Sequence, residues 1–285
     1  MTNDRQPSLP YFDILLQEMS AGGSELTQIF GEYTHWGYWS APAMADGSIE
    51  DYKSASAALS RLVCDTANIG NGSQVLEVGC GFGGTIAALN DRFCDLELVG
   101  LNIDDRQLAI AIENIVPKNG NQVNFVCADA CDLPFADRSF DVVLAIECIF
   151  HFPSRDRFFQ EARRVLKPGG CLVLTDFIPR EDFLPVYRLS GLVQDAIVAY
   201  TFGDVDIKFP LSAYRDLARK TGLMPTVEND ITLNTLPTYS VLRYLCENRD
   251  NWLERFHYPA IAMAELAAQM GWMRYFLLSF AIADR

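Results

Sequence analysis

The stretch Val75-Leu76-Glu77-Val78-Gly79-Cys80-Gly81-Phe82-Gly83-Gly84-Thr85 limits the possible folds more than any other part of this chain. Val75, Leu76 and Val78 read as a buried strand, and from Thr85 the pattern turns helical. Glycines between the two permit a tight turn and let backbone approach a ligand closely. A helix that starts there points its free N–H groups at whatever rests on the turn. This predicts a strand–turn–helix unit built for a nucleotide-like ligand. Read as Gly79, Gly81 and Gly84, the glycines fit a dinucleotide fingerprint, which is a weak signal alone.

The rest of the chain supplies the context. Strands are expected at 96–101, 123–127, 140–146 and 171–177, with helices at 104–116 and 155–166 between them. Such alternation implies a mostly parallel sheet with helices on both faces. Upstream, residues 11–33 carry two short helical patterns split by Ala21-Gly22-Gly23-Ser24, and 49–67 reads as a helix. Between them lies Tyr33-Thr34-His35-Trp36-Gly37-Tyr38-Trp39. Rings at this density serve as core or as a lid whose faces can hold a cation. Beyond Phe177 the rhythm breaks. Apolar helices are expected over 181–200, 211–221 and 238–271, a strand over 225–233 and a closing strand over 275–282. The helical inserts are expected to cap the carboxyl end of the sheet, where ligands bind in such folds. The same pattern also fits extra core or the surface of a homodimer. The expected division is 1–70 (helices and aromatic lid), 71–178 (ligand-binding core), 179–272 (core completion with cap) and 273–285 (closing strand).

Composition narrows the partners. The net charge of −14 would steer the chain away from nucleic-acid phosphates. Eight cysteines lack paired zinc spacing and read as reduced thiols, so no metal is expected. The polar N-terminus and the lack of a spanning apolar run predict a cytoplasmic protein with no targeting segment.

Several further residues choose between nucleotides. Glu77 stands in the strand two residues before Gly79, and the second strand ends in Gly100-Leu101-Asn102 with no carboxylate at its tip. Asp129-Ala130 and Leu133-Pro134-Phe135 follow the third strand, Phe140-Asp141 opens the fourth, and Arg164-Val165-Leu166-Lys167-Pro168-Gly169-Gly170 precedes the fifth. Over roughly 74–178, this set resembles the class I S-adenosylmethionine (SAM) dependent methyltransferases. The resemblance implies an α/β, Rossmann-like seven-stranded sheet whose last strand runs antiparallel, with a helical cap. It implies that Glu77, Gly79, Gly81 and Gly83 hold the amino-acid end and ribose of SAM. Asp129 would bind the adenine amino group, with Ala130 beside the ring. Asn102 occupies the place where the family usually has an acidic residue on the ribose hydroxyls; an amide can still donate and accept there.

Methyl transfer to a hydroxyl needs positioning and removal of a proton. His151, just past the fourth strand in Glu147-Cys148-Ile149-Phe150-His151-Phe152, is the candidate base. Asp176 would orient it or share the role. Glu147 would orient the acceptor or cap the methionine end of SAM. The Gly37-Tyr38-Trp39 segment resembles one in sugar O-methyltransferases of rebeccamycin-type pathways. Tyr38 is expected on the cofactor, and Trp39 and Phe150 on the acceptor. No Asn/Asp-Pro-Pro-aromatic run follows the fourth strand, which argues against nucleobase methylation. The Met-rich cap suggests a partly apolar small molecule of specialised metabolism, methylated on oxygen or nitrogen. Two alternatives share this core: carbon methylation of an alkene, as in sterol and prenyl-diphosphate methyltransferases, and a cyclase that keeps SAM as a structural ligand.

Overall fold

A computed structural model describes residues 9–22, 24–189, 203, 205–247 and 257–282. Its centre is a seven-stranded sheet: β1 (Gln74–Val78), β2 (Glu97–Asn102), β3 (Gln122–Cys127), β4 (Phe140–Ile146), β5 (Leu166–Pro179), β6 (Leu223–Asp230) and β7 (Met273–Ile282). The strand order is β3-β2-β1-β4-β5-β7-β6. Pairs from β3 to β5 are parallel, and β7 runs antiparallel to both its neighbours. The order reverses at β1, so a crevice opens beyond the carboxyl ends of β1 and β4, where the glycine run lies.

Alternation along each strand divides the core. Leu76 and Val78 of β1, Val143 and Ala145 of β4 and Leu172 and Leu174 of β5 face one side. There they meet Phe158, Phe159 and Ala162 of α6 (Arg155–Val165) and Tyr214 and Leu217 of α8 (Leu211–Thr221). Val75, Leu98, Leu144 and Val173 face the other side. That side is covered by Leu59 and Val63 of α3 (Ile49–Thr66) and by Ile86 and Leu89 of α4 (Gly84–Arg92). In α3, Ser48 caps the start by accepting from the Asp51 N–H, and Tyr52, Ala55, Leu59 and Val63 recur at helical spacing on the buried face. α5 (Asp105–Asn114) begins on the Asp104 cap and ends before Pro117.

The cap comes from both ends of the chain. It consists of α1 (Pro10–Ser20), α2 (Glu25–Phe30), α10 (Thr238–Glu247) and α11 (His257–Gln269). Ile29 of α2 and Val241 and Leu245 of α10 share one cluster with Trp39, Tyr52 and Ala55. The helix expected over 181–200 appears as a 3-10 turn at Glu181–Phe183 and α7 (Leu184–Leu189); its remainder lies outside the described residues. The helix expected over 238–271 is seen as α10 and α11, with 248–256 also outside. The strand expected over 225–233 starts earlier and stops at Asp230. That carboxylate accepts from the Thr232 backbone and hydroxyl, and the chain turns into the short α9 (Thr232–Thr235). Among the described residues no helix is long and apolar enough to cross a membrane.

Candidate active site

The glycine run forms a cradle that other side chains could not make. Gly79 has φ +68, and a Cβ there would lie 2.5 Å from the Cys148 Cβ. Gly81 has φ +55, and its Cβ would lie 3.0 Å from the Thr34 hydroxyl. Gly83, left-handed as well, caps the start of α4. Beneath the cradle sits Glu77, only 3% exposed. Its Oε2 has no hydrogen-bond partner. Burial pushes its carboxyl up to about 8, and the neighbouring Thr85 hydroxyl pulls it down only in part. A buried acceptor left open beside a glycine cradle calls for an ammonium or hydroxyl donor. SAM carries both, so the residues present fit it.

The tips of β2 and β3 form the next part of the wall. The Ala128 N–H bonds the Asn102 carbonyl at 3.0 Å, which sets Asp129 beside the end of β2. Asp129 is half-buried, and its Oδ1 accepts from the Cys131 N–H at 2.8 Å; Ala130 is buried. Asn102 donates to Gln107 Oε1 at 3.0 Å and accepts from the Ile103 N–H at 2.9 Å. The Gln107 Oε1 also stands 3.8 Å from where a Gly81 Cβ would be. Gln107 was not anticipated. The signal for it is a polar residue sharing the buried face of α5 with Leu108 and Ala111.

Beyond the cradle lies an apolar cavity of about 310 Å³. Tyr11 and Phe12 of α1, Thr34, Trp36, Phe150, Phe177, Tyr239 and Met263 contribute to its wall, and Glu147 and His151 are its acidic and imidazole groups. The His151 backbone is fixed in a 3-10 turn by its N–H on the Cys148 carbonyl. Its Nε2 lies 3.0 Å from the Tyr11 hydroxyl, and the two rings stack at 6.0 Å. Tyr11 too was missed, because 140 residues separate this pair. Glu147 ends the β4 alternation in a left-handed backbone turn of φ +48. Its Oε1 accepts from the Trp36 N–H at 2.7 Å and from the Tyr275 hydroxyl. Burial raises this carboxyl to about 8. Another histidine, His35, is buried, with Nδ1 on the Trp36 carbonyl, and burial lowers it to about 4, so it is neutral.

Three expected site residues are placed elsewhere. Asp176 shares the Leu172–Leu174 face of β5, opposite Phe177, which lines the cavity. It is fully buried against the Arg155 guanidinium at 3.1 Å and the Tyr214 hydroxyl, and no hydrogen bond joins it to His151. Trp39 is buried among Ile29, Tyr52 and Val241, with its indole N–H on Asp51 at 2.9 Å. Tyr38 packs on the core cluster of α3, with its N–H on the Ala55 carbonyl. Burial alternates along this stretch. Tyr33, His35, Gly37 and Trp39 turn inward, and of the residues between them Thr34 and Trp36 reach the cavity.

Comparison with known proteins agrees with this architecture. Residues 76–174 match the family model described as a methyltransferase domain. The chain is 32% identical over 219 residues to the methyltransferase GfsG of Streptomyces halstedii, covering 75% of this chain and 73% of that one. It is 32% identical over 217 residues to the 27-O-demethylrifamycin SV methyltransferase of Amycolatopsis mediterranei (strain S699), covering 75% of each. Among solved structures, the cyclase SpnF superposes with a TM-score of 0.71 at 24% identity, over 95% of this chain and 93% of that one, a likeness of fold. With two methyltransferases this similar over most of their length, and a cradle that fits SAM, the chain belongs to the class I SAM-dependent methyltransferases and is an enzyme with SAM as its cofactor.

Proposed function

We propose that the enzyme methylates a hydroxyl oxygen of a lipophilic small molecule of specialised metabolism, with His151 as general base. The observation that carries this is an imidazole in the wall of an apolar cavity, within one short turn of the glycine cradle. Bound SAM supplies an activated methyl on a sulfonium. Glu77, the backbone of Gly79 to Gly83, Asn102 with Gln107, and Asp129 with Ala130 hold it. Phe150, Phe177 and Trp36 exclude water around the acceptor. His151 Nε2 takes the hydroxyl proton, and Tyr11 holds the ring beforehand and gives way to the acceptor. Such base catalysis contributes about 10²–10⁴-fold in rate. The similarity to the 27-O-demethylrifamycin SV methyltransferase supports an oxygen acceptor.

The acidic charge supports a small molecule rather than nucleic acid, in a cytoplasmic setting. Exposed Leu266 and Met270 on the cap suit a homodimer, which light scattering reads directly. The test of function is incubation with SAM and a panel of hydroxylated polyketides, followed by mass spectrometry. Conversion of SAM to S-adenosylhomocysteine with an O-methyl product is expected. Methyl label on carbon, or cyclisation without that conversion, would refute the proposal.

A further inference from the structure

Glu147 poses a problem that the methyl-transfer reading leaves open. Among the described residues it is the one carboxylate lining a mostly apolar cavity, and no lysine or arginine among them lines it. Its Oε1 is fully engaged by Trp36 and Tyr275. Nothing among the described residues donates to its Oε2. The group is held rigidly: its N–H bonds the Thr175 hydroxyl at 3.1 Å, and that oxygen lies 3.1 Å from the Tyr275 hydroxyl. Aromatic rings surround it. Trp36 lies 4.8 Å from Phe177 and 4.6 Å from Tyr239, and Phe150 lies 5.9 Å from Phe177.

We propose that Glu147 and the faces of Trp36, Phe150, Phe177 and Tyr239 form a subsite for a protonated amine carried by the acceptor. A hydroxyl could give Oε2 one hydrogen bond but would leave the carboxyl in the neutral form that its burial favours. An ammonium supplies the hydrogen bond, the opposite charge and a fit to the ring faces. The nitrogen so held is not the methylated atom, because its lone pair carries the proton. The acceptor class is therefore a lipophilic molecule with a free hydroxyl and a basic amine. This rests on the cavity being the acceptor site.

The test is calorimetry on the enzyme saturated with S-adenosylhomocysteine. The probes are N,N-dimethyl-4-phenylbutylamine, cationic at pH 7, and neutral 4-phenylbutan-1-ol. The wild type should bind the amine about tenfold more tightly than the alcohol. Glu147→Gln should bring the two to parity and leave the affinities for the alcohol and S-adenosylhomocysteine unchanged. Equal affinities in the wild type overturn the proposal with no variant needed. So does a Glu147→Gln enzyme that loses both probes alike, or that loses S-adenosylhomocysteine. A variant that weakens SAM alone while the amine preference persists would assign the carboxylate to the sulfonium instead. No methyl transfer is measured, so a failed O-methylation assay leaves this result intact.

Discussion

Glu77 makes a prediction with a definite sign. Its carboxyl is held at about 8 by burial, against an ordinary value of 4.5. Between those values the folded chain keeps a proton that the unfolded chain releases, so stability falls as pH rises through that window. Each pH unit from 4.5 to 7 costs about 1.4 kcal/mol, so the total at pH 7 is about 3 kcal/mol. The residue is 3% exposed, so solvent screens little of this. Glu77→Gln removes the cost but leaves a buried amide short of a partner, a loss of about 1 kcal/mol. The variant should therefore be more stable without SAM by about 2 kcal/mol at pH 7, or about 3 °C in Tm for a chain of this length. The gain should grow towards pH 8, vanish near about pH 5 and turn into a loss of about 1 kcal/mol below about pH 4.5. Urea unfolding across this range measures it. Binding of SAM should weaken by tenfold or more, because a charge-assisted hydrogen bond is worth about 1.5–3 kcal/mol. Saturating SAM should then shrink or reverse the stability order. A variant less stable than wild type at pH 8, or a difference flat with pH, would refute the reasoning.

Other substitutions separate the parts of the site. Gly81→Leu forces a side chain against Thr34 from a left-handed backbone, and loss of detectable SAM binding by calorimetry is expected. His151→Ala should lower kcat about 10²–10⁴-fold with the SAM Kd unchanged; equal loss of both would mean a structural role. Arg155→Met leaves Asp176 buried without its cation and should cost about 3–5 kcal/mol in urea unfolding. Adding Asp176→Leu should restore much of that loss, and a double variant no better than the single would contradict the pairing.

The strands were legible because long apolar runs such as Val142 to Ile146 are buried on both faces. That same property hid the placement of Asp176. In a strand apolar on both sides, nothing local tells which parity faces the cavity, and Asp176 falls one residue out of phase with Phe177. The aromatic stretch was ambiguous for a related reason. With a ring or glycine at every position but Thr34, its alternation is too weakly marked to tell Tyr38 and Trp39 from Trp36. Tyr11 depends on a contact across 140 residues, which neither periodicity nor turn chemistry encodes, whereas Gln107 showed only as a polar residue on the buried face of α5.

The stretch from Glu32 to Trp36 ties the two halves of the site together. The Glu32 carbonyl and Tyr33 ring press on Gly84 at the start of α4, and Thr34 stands over Gly81. Two residues on, the Trp36 N–H holds the Glu147 carboxylate and its ring lines the cavity. One extended segment thus sets the height of the cofactor cradle and the position of the acceptor wall. In-line methyl transfer depends on their relative placement, to a tolerance of about 1 Å. Joining both to a single backbone fixes that placement, with Trp36 packed on the cluster that holds Ile261 and Ala268 of α11. Met263, Ala264 and Ala267 of α11 line the cavity and lie outside the glycine cradle. Substitutions there can reshape the acceptor pocket while the donor geometry stays intact, which separates specificity from catalysis within one cavity.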